Sequence, residues 1–349
     1  MTMTTAHITT RATMTTTTTN PHSEAMTTMF TTRTGLLSAV VTALLVSSFP
    51  AAFLVGCGPT FDPASLIETT RVVGARSEVE GATDRASPQP GETVNVTWLV
   101  TAPAATPPLG WAFAVCAPGT ETNRPACLAA PLARFDGTAT PPRIAVAVPS
   151  AAALAGASSV TLYGAICAGE EAPPQFDGQT GLASCPGGGR GTTVMLDLAL
   201  QLGDDANHNP TADRGFTFDG AAWPATTPGD DPCAQGPRVM AGSSDHVIGQ
   251  VAEGSDREAY LGLAGDPPVA TPTRERLQLS RFTTAGKLKS QFSFVEATDD
   301  SAATTVTVTW DAPKATDVSA AGSAATFTFV VRDDRGGTDW TTRTLCVTP

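Results

Sequence analysis

The sequence is poor in charged residues and in histidine, and each shortage argues against a class of function. Charged residues make up 15% of the 349 residues, against roughly 25% in an average soluble domain. The 33 acidic residues outnumber the 21 basic ones, which gives a formal net charge of −12. That charge argues against a nucleic-acid partner held through its phosphates. There is no CxxC motif and the chain has 4 histidines, so residues for a zinc site are scarce.

The motifs of common enzymes are also missing or incomplete. There is no GxSxG motif, the turn that presents the nucleophile in many serine hydrolases. The glycine-rich segment 187–191 lacks the lysine of a phosphate-binding loop, so we interpret it as a flexible turn. Residues 243–246, Ser-Ser-Asp-His, have the residue types of a serine hydrolase, but neighbours in sequence seldom form a triad. His246 is expected to begin a strand instead. We therefore predict no catalytic residue and a non-enzymatic protein.

Glycine and proline are abundant, with 32 and 28 residues, and this favours short strands joined by turns over long helices. Apolar residues alternate with polar ones along Val94, Val96, Trp98 and Val100. Similar alternation recurs over 111–115, 144–148, 160–166, 194–200, 277–279, 292–294, 306–310 and 327–331. Residues 334–337, Asp-Arg-Gly-Gly, predict the turn of a hairpin. The sequence therefore predicts an all-β fold of β-sandwiches.

The N-terminal 56 residues predict export. Residues 1–33 are mostly Thr and Met and predict a disordered extension, which contains alternative start methionines. Residues 34–56 are an apolar run behind Arg33, the order of a secretory signal peptide. An uncleaved transmembrane anchor is the alternative, because such a run could cross roughly 30 Å of hydrocarbon. Pro50 within the run argues against that alternative.

The signal peptide ends in Leu54, Val55, Gly56 and Cys57, which resemble a bacterial lipobox. In this interpretation the first three residues are recognised by the signal peptidase. Cys57 becomes the acylated N-terminus, which anchors the chain to a lipid membrane. Gly58 follows the cysteine, and by analogy with other lipoproteins this permits transport to an outer membrane. We therefore expect a lipid-anchored protein of the cell envelope, in the outer membrane and facing the periplasm or the surface, with no nucleic-acid partner.

The rest of the chain is long enough for two domains. Turn-forming acidic and amide residues before Pro210 predict the boundary between them. The predicted organisation is a tether (57–67), a first sandwich (68–203), a linker (204–211) and a second sandwich (212–349).

Six cysteines follow Cys57, an even number that is typical of disulfides in an exported chain. Fifteen connectivities are compatible with six cysteines. The simplest is sequential, and it pairs Cys116 with Cys127, Cys167 with Cys185, and Cys233 with Cys346. Thiols kept reduced for chemistry are the alternative.

Three segments resemble predicted lipoproteins of GC-rich Gram-negative bacteria. They are PQPGETVNVTWLVTAP (88–103), GWAFAVC (110–116) and FTFVVRDDRGGTDW (327–340). The last segment, with the preceding residues from 310, is similar to the final strands of bacterial immunoglobulin-like domains of the PKD and cadherin-like type. The resemblance implies immunoglobulin-like sandwiches that serve as adhesive or spacing modules.

The same resemblance implies a calcium site. Asp204, Asp205, Asn207 and Asn209 are similar to the D-x-N-x-N linker that binds calcium between cadherin-like domains, although His208 stands where that pattern has an Asp. A solvated turn is the alternative. Asp333, Asp334 and Asp339, near the predicted hairpin turn, are expected to stabilise it.

The predicted function is that of a non-enzymatic, envelope-anchored binding, adhesion or spacer module. The first alternative is a glycan- or peptide-binding lipoprotein with its site on exposed loops. Trp223 lies in a Pro- and Gly-rich stretch, so we expect it to be partly exposed and to serve as the ligand-stacking residue there. A hydrolase with scattered catalytic residues is the second alternative. An envelope protein or a glycan is the expected partner, and no cofactor other than calcium is predicted.

Overall fold

The computed structural model describes residues 63–189, 191–227, 231–264 and 266–349. The predicted extension, signal peptide and lipobox, with Leu54, Val55, Gly56 and Cys57, lie outside the described residues. No helix within the described ranges is long and apolar enough to cross a membrane. Strands dominate these ranges, which confirms the all-β prediction.

The strands of the first half are β1 (Arg71–Val79), β2 (Thr93–Thr101), β3 (Leu109–Val115), β4 (Ala133–Gly137), β5 (Arg143–Ala147), β6 (Ser159–Ala168), β7 (Gln175–Phe176), β8 (Ala183–Ser184) and β9 (Thr192–Ala199). Those of the second half are β10 (Thr217–Phe218), β11 (Ala221–Ala222), β12 (Arg238–Met240), β13 (His246–Glu253), β14 (Ala259–Ala264), β15 (Val269–Arg274), β16 (Leu277–Thr283), β17 (Lys287–Leu288), β18 (Phe292–Val295), β19 (Ala303–Asp311), β20 (Ser323–Arg332) and β21 (Thr338–Thr348). The described helices are short: α1 (Arg124–Ala129), α2 (Ala151–Leu154) and α3 (Pro232–Gln235), with single 3₁₀ turns at Gly254–Asp256 and Ala315–Asp317.

Two antiparallel sheets of the first half share one core. One sheet has the strand order β1-β2-β5 and the other the order β4-β3-β6-β9. Apolar side chains from both sheets form a single buried cluster. Within it the indole of Trp98 on β2 stacks on the ring of Phe113 on β3, with centroids 3.9 Å apart. We call residues 71–199 the first sandwich.

The alternation read from the sequence explains which side chains enter this core. On β2, Val94, Val96 and Trp98 are buried, while the residues between them are only half-buried. On β5, Ile144 and Val146 are buried between exposed neighbours. Because successive side chains of a strand point to opposite faces, each strand gives its apolar set to the core.

Two five-stranded sheets of the second half face each other in the same way. Their strand orders are β11-β10-β13-β19-β17 and β12-β21-β20-β16-β18. Trp310 on the first sheet meets Phe327 on the second edge-to-face, with centroids 5.2 Å apart. Both side chains are fully buried, in a cluster drawn from both sheets. We call residues 217–348 the second sandwich.

Trp223 belongs to this second core, and the expectation that it is partly exposed is wrong. The residue is 2% exposed, and its indole N–H donates to the Thr344 carbonyl at 3.1 Å. Phe218 and Phe327 meet the ring edge-to-face, with centroids 5.3 and 5.2 Å away. The Trp223 backbone N–H donates to the carbonyl of Phe216 at 2.9 Å. This bond holds the residue against the hairpin formed by β10 and β11, so the indole packs inward despite the glycines and prolines around it.

Three disulfides join the six cysteines, and the sequential pairing is confirmed. Cys116 is bonded to Cys127, Cys167 to Cys185, and Cys233 to Cys346. The first two bonds close loops with sequence separations of 11 and 18 in the first sandwich, and the third spans 113 in the second. The third bond attaches α3 to β21, the last strand.

We expect the Cys233–Cys346 bond to stabilise the chain more than the Cys116–Cys127 bond. In the chain-entropy model, removing the disulfide that closes the longer loop lowers the free energy of unfolding by about 5 kcal/mol. Removing the one that closes the shorter loop lowers it by about 3 kcal/mol. The measurement is the free energy of unfolding of the Cys233→Ala/Cys346→Ala and Cys116→Ala/Cys127→Ala variants in denaturant. Equal losses in both variants would contradict the expectation.

Candidate functional site

Three segments lie where the two sandwiches meet, and together we call them the junction: residues 65–67, residues 204–212 and the hairpin turn 333–339. The first segment pairs with β16, since the Ile67 N–H donates to the Thr283 carbonyl and the Thr283 N–H donates to the Ser65 carbonyl, both at 2.8 Å. Ile67 is buried in an apolar cluster with Val73 of β1 and Phe282 of β16. The last residues of the predicted tether are therefore part of the packed structure.

Asn209 connects both sandwiches with one side chain. Its amide NH₂ donates to the carbonyl of Ser77 on β1 at 2.7 Å. Its amide oxygen accepts the N–H of Thr338 on β21 at 2.9 Å. The amide thus bridges the first sandwich to the second, and both of its polar atoms are used.

An ion pair also crosses the junction. One nitrogen of the Arg76 guanidinium lies 2.6 Å from the Asp339 carboxylate, and Asp339 also accepts the Ala212 N–H at 2.9 Å. Arg332 donates to the carbonyl of Val73 and, at 3.1 Å, to the hydroxyl of Ser280. Each of these groups is at least partly buried. Hydrogen bonds to charged groups contribute more to stability in such an environment than on an open surface.

Asp333 shapes the hairpin turn from within. One oxygen of its carboxylate accepts the N–H groups of Arg335 and Gly337, both at 2.8 Å, and the Asn207 amide at 3.5 Å. These bonds confirm the prediction that Asp333 stabilises the turn. A Cβ on Gly337 would lie 2.0 Å from the second Asp333 oxygen and 2.8 Å from the His208 carbonyl, so the close approach of the linker requires glycine there.

A group of charged side chains lies beside this turn. The Arg335 guanidinium is 3.2 Å from the carboxylate of Glu275 and 3.6 Å from that of Glu258. It also lies over the Tyr260 ring, 4.9 Å from the centroid. Glu258 accepts the His208 N–H at 3.1 Å and contacts the His208 imidazole. One arginine therefore faces two acidic side chains.

Burial changes the acidity of the carboxyl groups in the junction. Glu275 is 1% exposed, and this burial raises its pKa to about 8, with a further rise from the charges of Asp333 and Glu258. Burial also raises the pKa of Asp333, against the lowering effect of the N–H groups of Arg335 and Gly337. The protonated form of Glu275 is therefore favoured at neutral pH.

The residues proposed for calcium occupy two different environments. Asp204 and Asp205 are exposed, whereas Asn207 is 1% exposed within the junction. Both polar atoms of the Asn209 side chain are engaged in the bridge between the sandwiches. The described residues contain no group of three or more His, Cys, Asp or Glu side chains arranged to hold a metal ion. Calcium binding at these positions stays a prediction.

An open cleft of about 490 Å³ runs along one side of the junction. Its walls come from both sandwiches and from the linker, and they include Ser158, Gln201, Asp204, Tyr260, Asp334 and Arg335. Leu261 also lines the cleft and is 62% exposed, on the two-stranded hairpin of β14 and β15. The cleft is one concave surface where both halves of the chain could contact a ligand.

A second group of hydrogen-bonded side chains lies in the second sandwich, at the start of β13. The Ser243 hydroxyl oxygen is 2.8 Å from Nε2 of His246, and Nδ1 of the same imidazole is 2.8 Å from the Asp219 carboxylate. His246 begins β13, as predicted. Ser243, His246 and Asp219 thus form a hydrogen-bonded series, although sequence neighbours were not expected to form one.

Sequence reasoning missed Asp219 because it lies 27 residues before His246. The signal that could have found it is the dipeptide Asp219-Gly220, which follows a short apolar run. Both residues have positive φ, 49° and 81°, as in the tight turn that joins two hairpin strands. Pairing of β10 with β13 then places this turn beside the start of β13. Ser244 and Asp245, the other residues of the Ser-Ser-Asp-His segment, form hydrogen bonds that do not involve the imidazole.

No family model matches the chain, and no curated protein matches it significantly.

We expect the stability of the chain to fall between about pH 4.5 and pH 8 through Glu275. The unfolded carboxyl ionises over this range while the folded one keeps its proton. Stability from this group is therefore complete below the unfolded pKa and is lost as the pH rises through the folded pKa. The loss is up to about 1.4 kcal/mol per pH unit.

The measurement is the free energy of unfolding at pH 5, 6.5 and 8 for the wild type and Glu275→Gln. Glutamine keeps one acceptor oxygen, for either Arg335 or the Glu258 N–H, and does not ionise, so the variant should lose most of the slope. Glu296→Gln, at an exposed position, is the matched control and should keep it. A variant slope equal to that of the wild type would contradict this role of Glu275.

Proposed function

We propose that this chain is an envelope-anchored spacer module that holds two immunoglobulin-like sandwiches in a fixed arrangement. The single observation that carries the proposal is the junction. A flexible linker would leave the two sandwiches independent, whereas residues 204–212 here are inserted between β1 and the hairpin turn and are bonded to both.

The contacts of the junction suit a rigid spacer. Apolar packing around Ile67, the two-sided amide of Asn209 and the Arg76–Asp339 ion pair lie at separate points of the contact. Contacts at several separated points oppose hinge motion in more than one direction, whereas a single contact would act as a pivot. Disulfides in both sandwiches further limit local unfolding, which suits a protein outside the reducing cytoplasm.

The anchor in this proposal is the lipid on Cys57. Few residues separate Cys57 from Ser65, where the chain joins β16. Such a short connection would place the junction near the membrane surface and leave both sandwiches to project from it. The acidic net charge of −12 suits neutral or cationic partners better than anionic polymers.

The fixed arrangement predicts a narrow distance distribution between spin labels on the two sandwiches. Labels are placed on Cys57→Ser chains at Ala105→Cys and Ala320→Cys, two exposed positions, and distances are measured by pulsed electron resonance. Asn209→Ala removes both bridging hydrogen bonds and should broaden the distribution, at a cost of about 1–3 kcal/mol in stability.

Asn123→Ala is the matched control for that experiment. Asn123 caps α1 inside the first sandwich by accepting the Ala126 N–H, so its loss costs about 1 kcal/mol without touching the junction. The control should leave the distribution narrow. A broad distribution in the parent chain would contradict the spacer proposal.

Anchoring is tested separately in cells of a Gram-negative host. The wild-type chain should incorporate a radiolabelled or alkyne-bearing fatty acid and fractionate with membranes. Cys57→Ser should lose the label and leave the membrane fraction, while a Cys116→Ser/Cys127→Ser chain should keep the label. Retention of the label by Cys57→Ser would mean that the chain is anchored in another way.

A further inference from the structure

We propose that Ser243, His246 and Asp219 form an acyl-transfer site that hydrolyses small carboxylic esters. The inference goes beyond the spacer function and is independent of it. It also departs from the expectation, drawn from the sequence, that the protein is not an enzyme.

The bonding of the imidazole fixes the form in which it can act as a base. A carboxylate can only accept, so Nδ1 of His246 must carry the proton that bonds Asp219. In the neutral ring Nε2 then has its lone pair free, and that lone pair faces the Ser243 hydroxyl at 2.8 Å. This is the tautomer in which a histidine removes a proton from serine.

Asp219 and the imidazole are both held in place. The second oxygen of the Asp219 carboxylate accepts the Val247 N–H at 2.8 Å, and the Asp219 N–H donates to the Val247 carbonyl at 2.8 Å. The imidazole stacks on the Phe218 ring with centroids 5.4 Å apart, and its side chain is 17% exposed. Asp219 therefore acts as a positioning residue, and the ring has little freedom to turn away from Ser243.

Ser243 sits in a tight loop that leaves its hydroxyl accessible. Its N–H donates to the Met240 carbonyl and its carbonyl accepts the Ala312 N–H, so the backbone is fixed on both sides. The residue is half-buried, and the following residue, Ser244, is exposed. Among the described residues the Ser244 N–H has no acceptor. A free N–H directly after the nucleophile is the position from which many hydrolases stabilise the oxyanion.

The Met240 carbonyl competes for the serine proton, because it lies 2.5 Å from the hydroxyl oxygen. When the hydroxyl donates to this carbonyl, it is not donating to Nε2. The two acceptors therefore define two states of the serine, and only the state bonded to His246 can transfer its proton to the imidazole. This competition predicts a slow enzyme, so turnover should be measurable with activated esters, whose leaving group departs easily.

The reaction balances with water as the second reactant. The Ser243 oxygen forms a bond to the acyl carbon while its proton moves to Nε2 of His246. The bond between the acyl carbon and the alcohol oxygen breaks, and the proton on Nε2 goes to the departing alcohol. Water then attacks the acyl-serine, gives its proton to Nε2 and releases the carboxylic acid, with the Ser243 proton restored.

The test uses the full chain in detergent with a fluorophosphonate probe and p-nitrophenyl acetate. We expect the probe to label Ser243 of the wild-type chain, as located by peptide mass spectrometry, and the acetate ester to turn over. Ser243→Ala should abolish labelling at that position and reduce turnover at least 10-fold. Ser255→Ala, at an exposed serine of the second sandwich outside this site, is the matched control and should keep both.

Asp219→Asn tests the positioning role by a readout that folding alone would not move. The amide can present its NH₂ to Nδ1 and favour the wrong tautomer, so labelling should slow about 10²–10⁴-fold while the melting temperature changes little. Mapping on the wild-type chain needs no variant and guards against misfolding of Ser243→Ala. Absence of label on Ser243, or equal label on Ser243 and Ser244, would overturn the proposal whatever the outcome for the spacer function.

Discussion

The buried carboxylate of Asp333 is the contact on which the arrangement of the two sandwiches depends. By accepting the N–H groups of Arg335 and Gly337, it closes the turn between β20 and β21 and presents the edge of that turn to the linker. Asn207 and His208 then lie against the turn closely enough that residue 337 must be glycine. The second oxygen of Asp333 and the amide oxygen of Asn207 have no hydrogen-bond partner among the described residues. The junction thus combines tight packing with unsatisfied polar atoms, which normally reduce stability.

Arginines packed against acidic side chains surround the same turn. Arg335 faces Glu275 and Glu258, and Arg76 faces Asp339. Replacing such groups by apolar ones often stabilises a protein, so their presence is weak support for stability as such. They are better explained by a need to specify one arrangement of the two sandwiches, because a buried charged group tolerates few alternative positions. An apolar contact of the same size would allow the sandwiches to slide, whereas an arginine held by the Glu258 carboxylate and the buried Glu275 side chain has few alternative positions.

The sequence predicted most of the fold but little of the junction. The alternation of apolar and polar residues predicts that Val94, Val96 and Trp98 enter a core, because this signal is local. The even number of cysteines after residue 57 predicts disulfides, because it depends only on counting. Trp223 was wrongly predicted to be partly exposed, because the amino-acid composition around it indicates a loop but does not indicate whether its side chain points into the core. The partners of Asn209 come from Ser77 and Thr338, more than 120 residues away on either side. Contacts between residues so far apart cannot be predicted from residue spacing in a single sequence.

The arrangement of the serine, histidine and aspartate of the second sandwich could not be predicted from the sequence either. Ser243 and His246 are three residues apart, and this spacing does not normally bring a hydroxyl to an imidazole in an extended strand. It does so here because the chain turns at Asp245, which has a φ of 60°, before β13 begins. Asp219 reaches the other side of the ring through the pairing of β10 with β13. A tight turn and one strand register are therefore sufficient to assemble the arrangement.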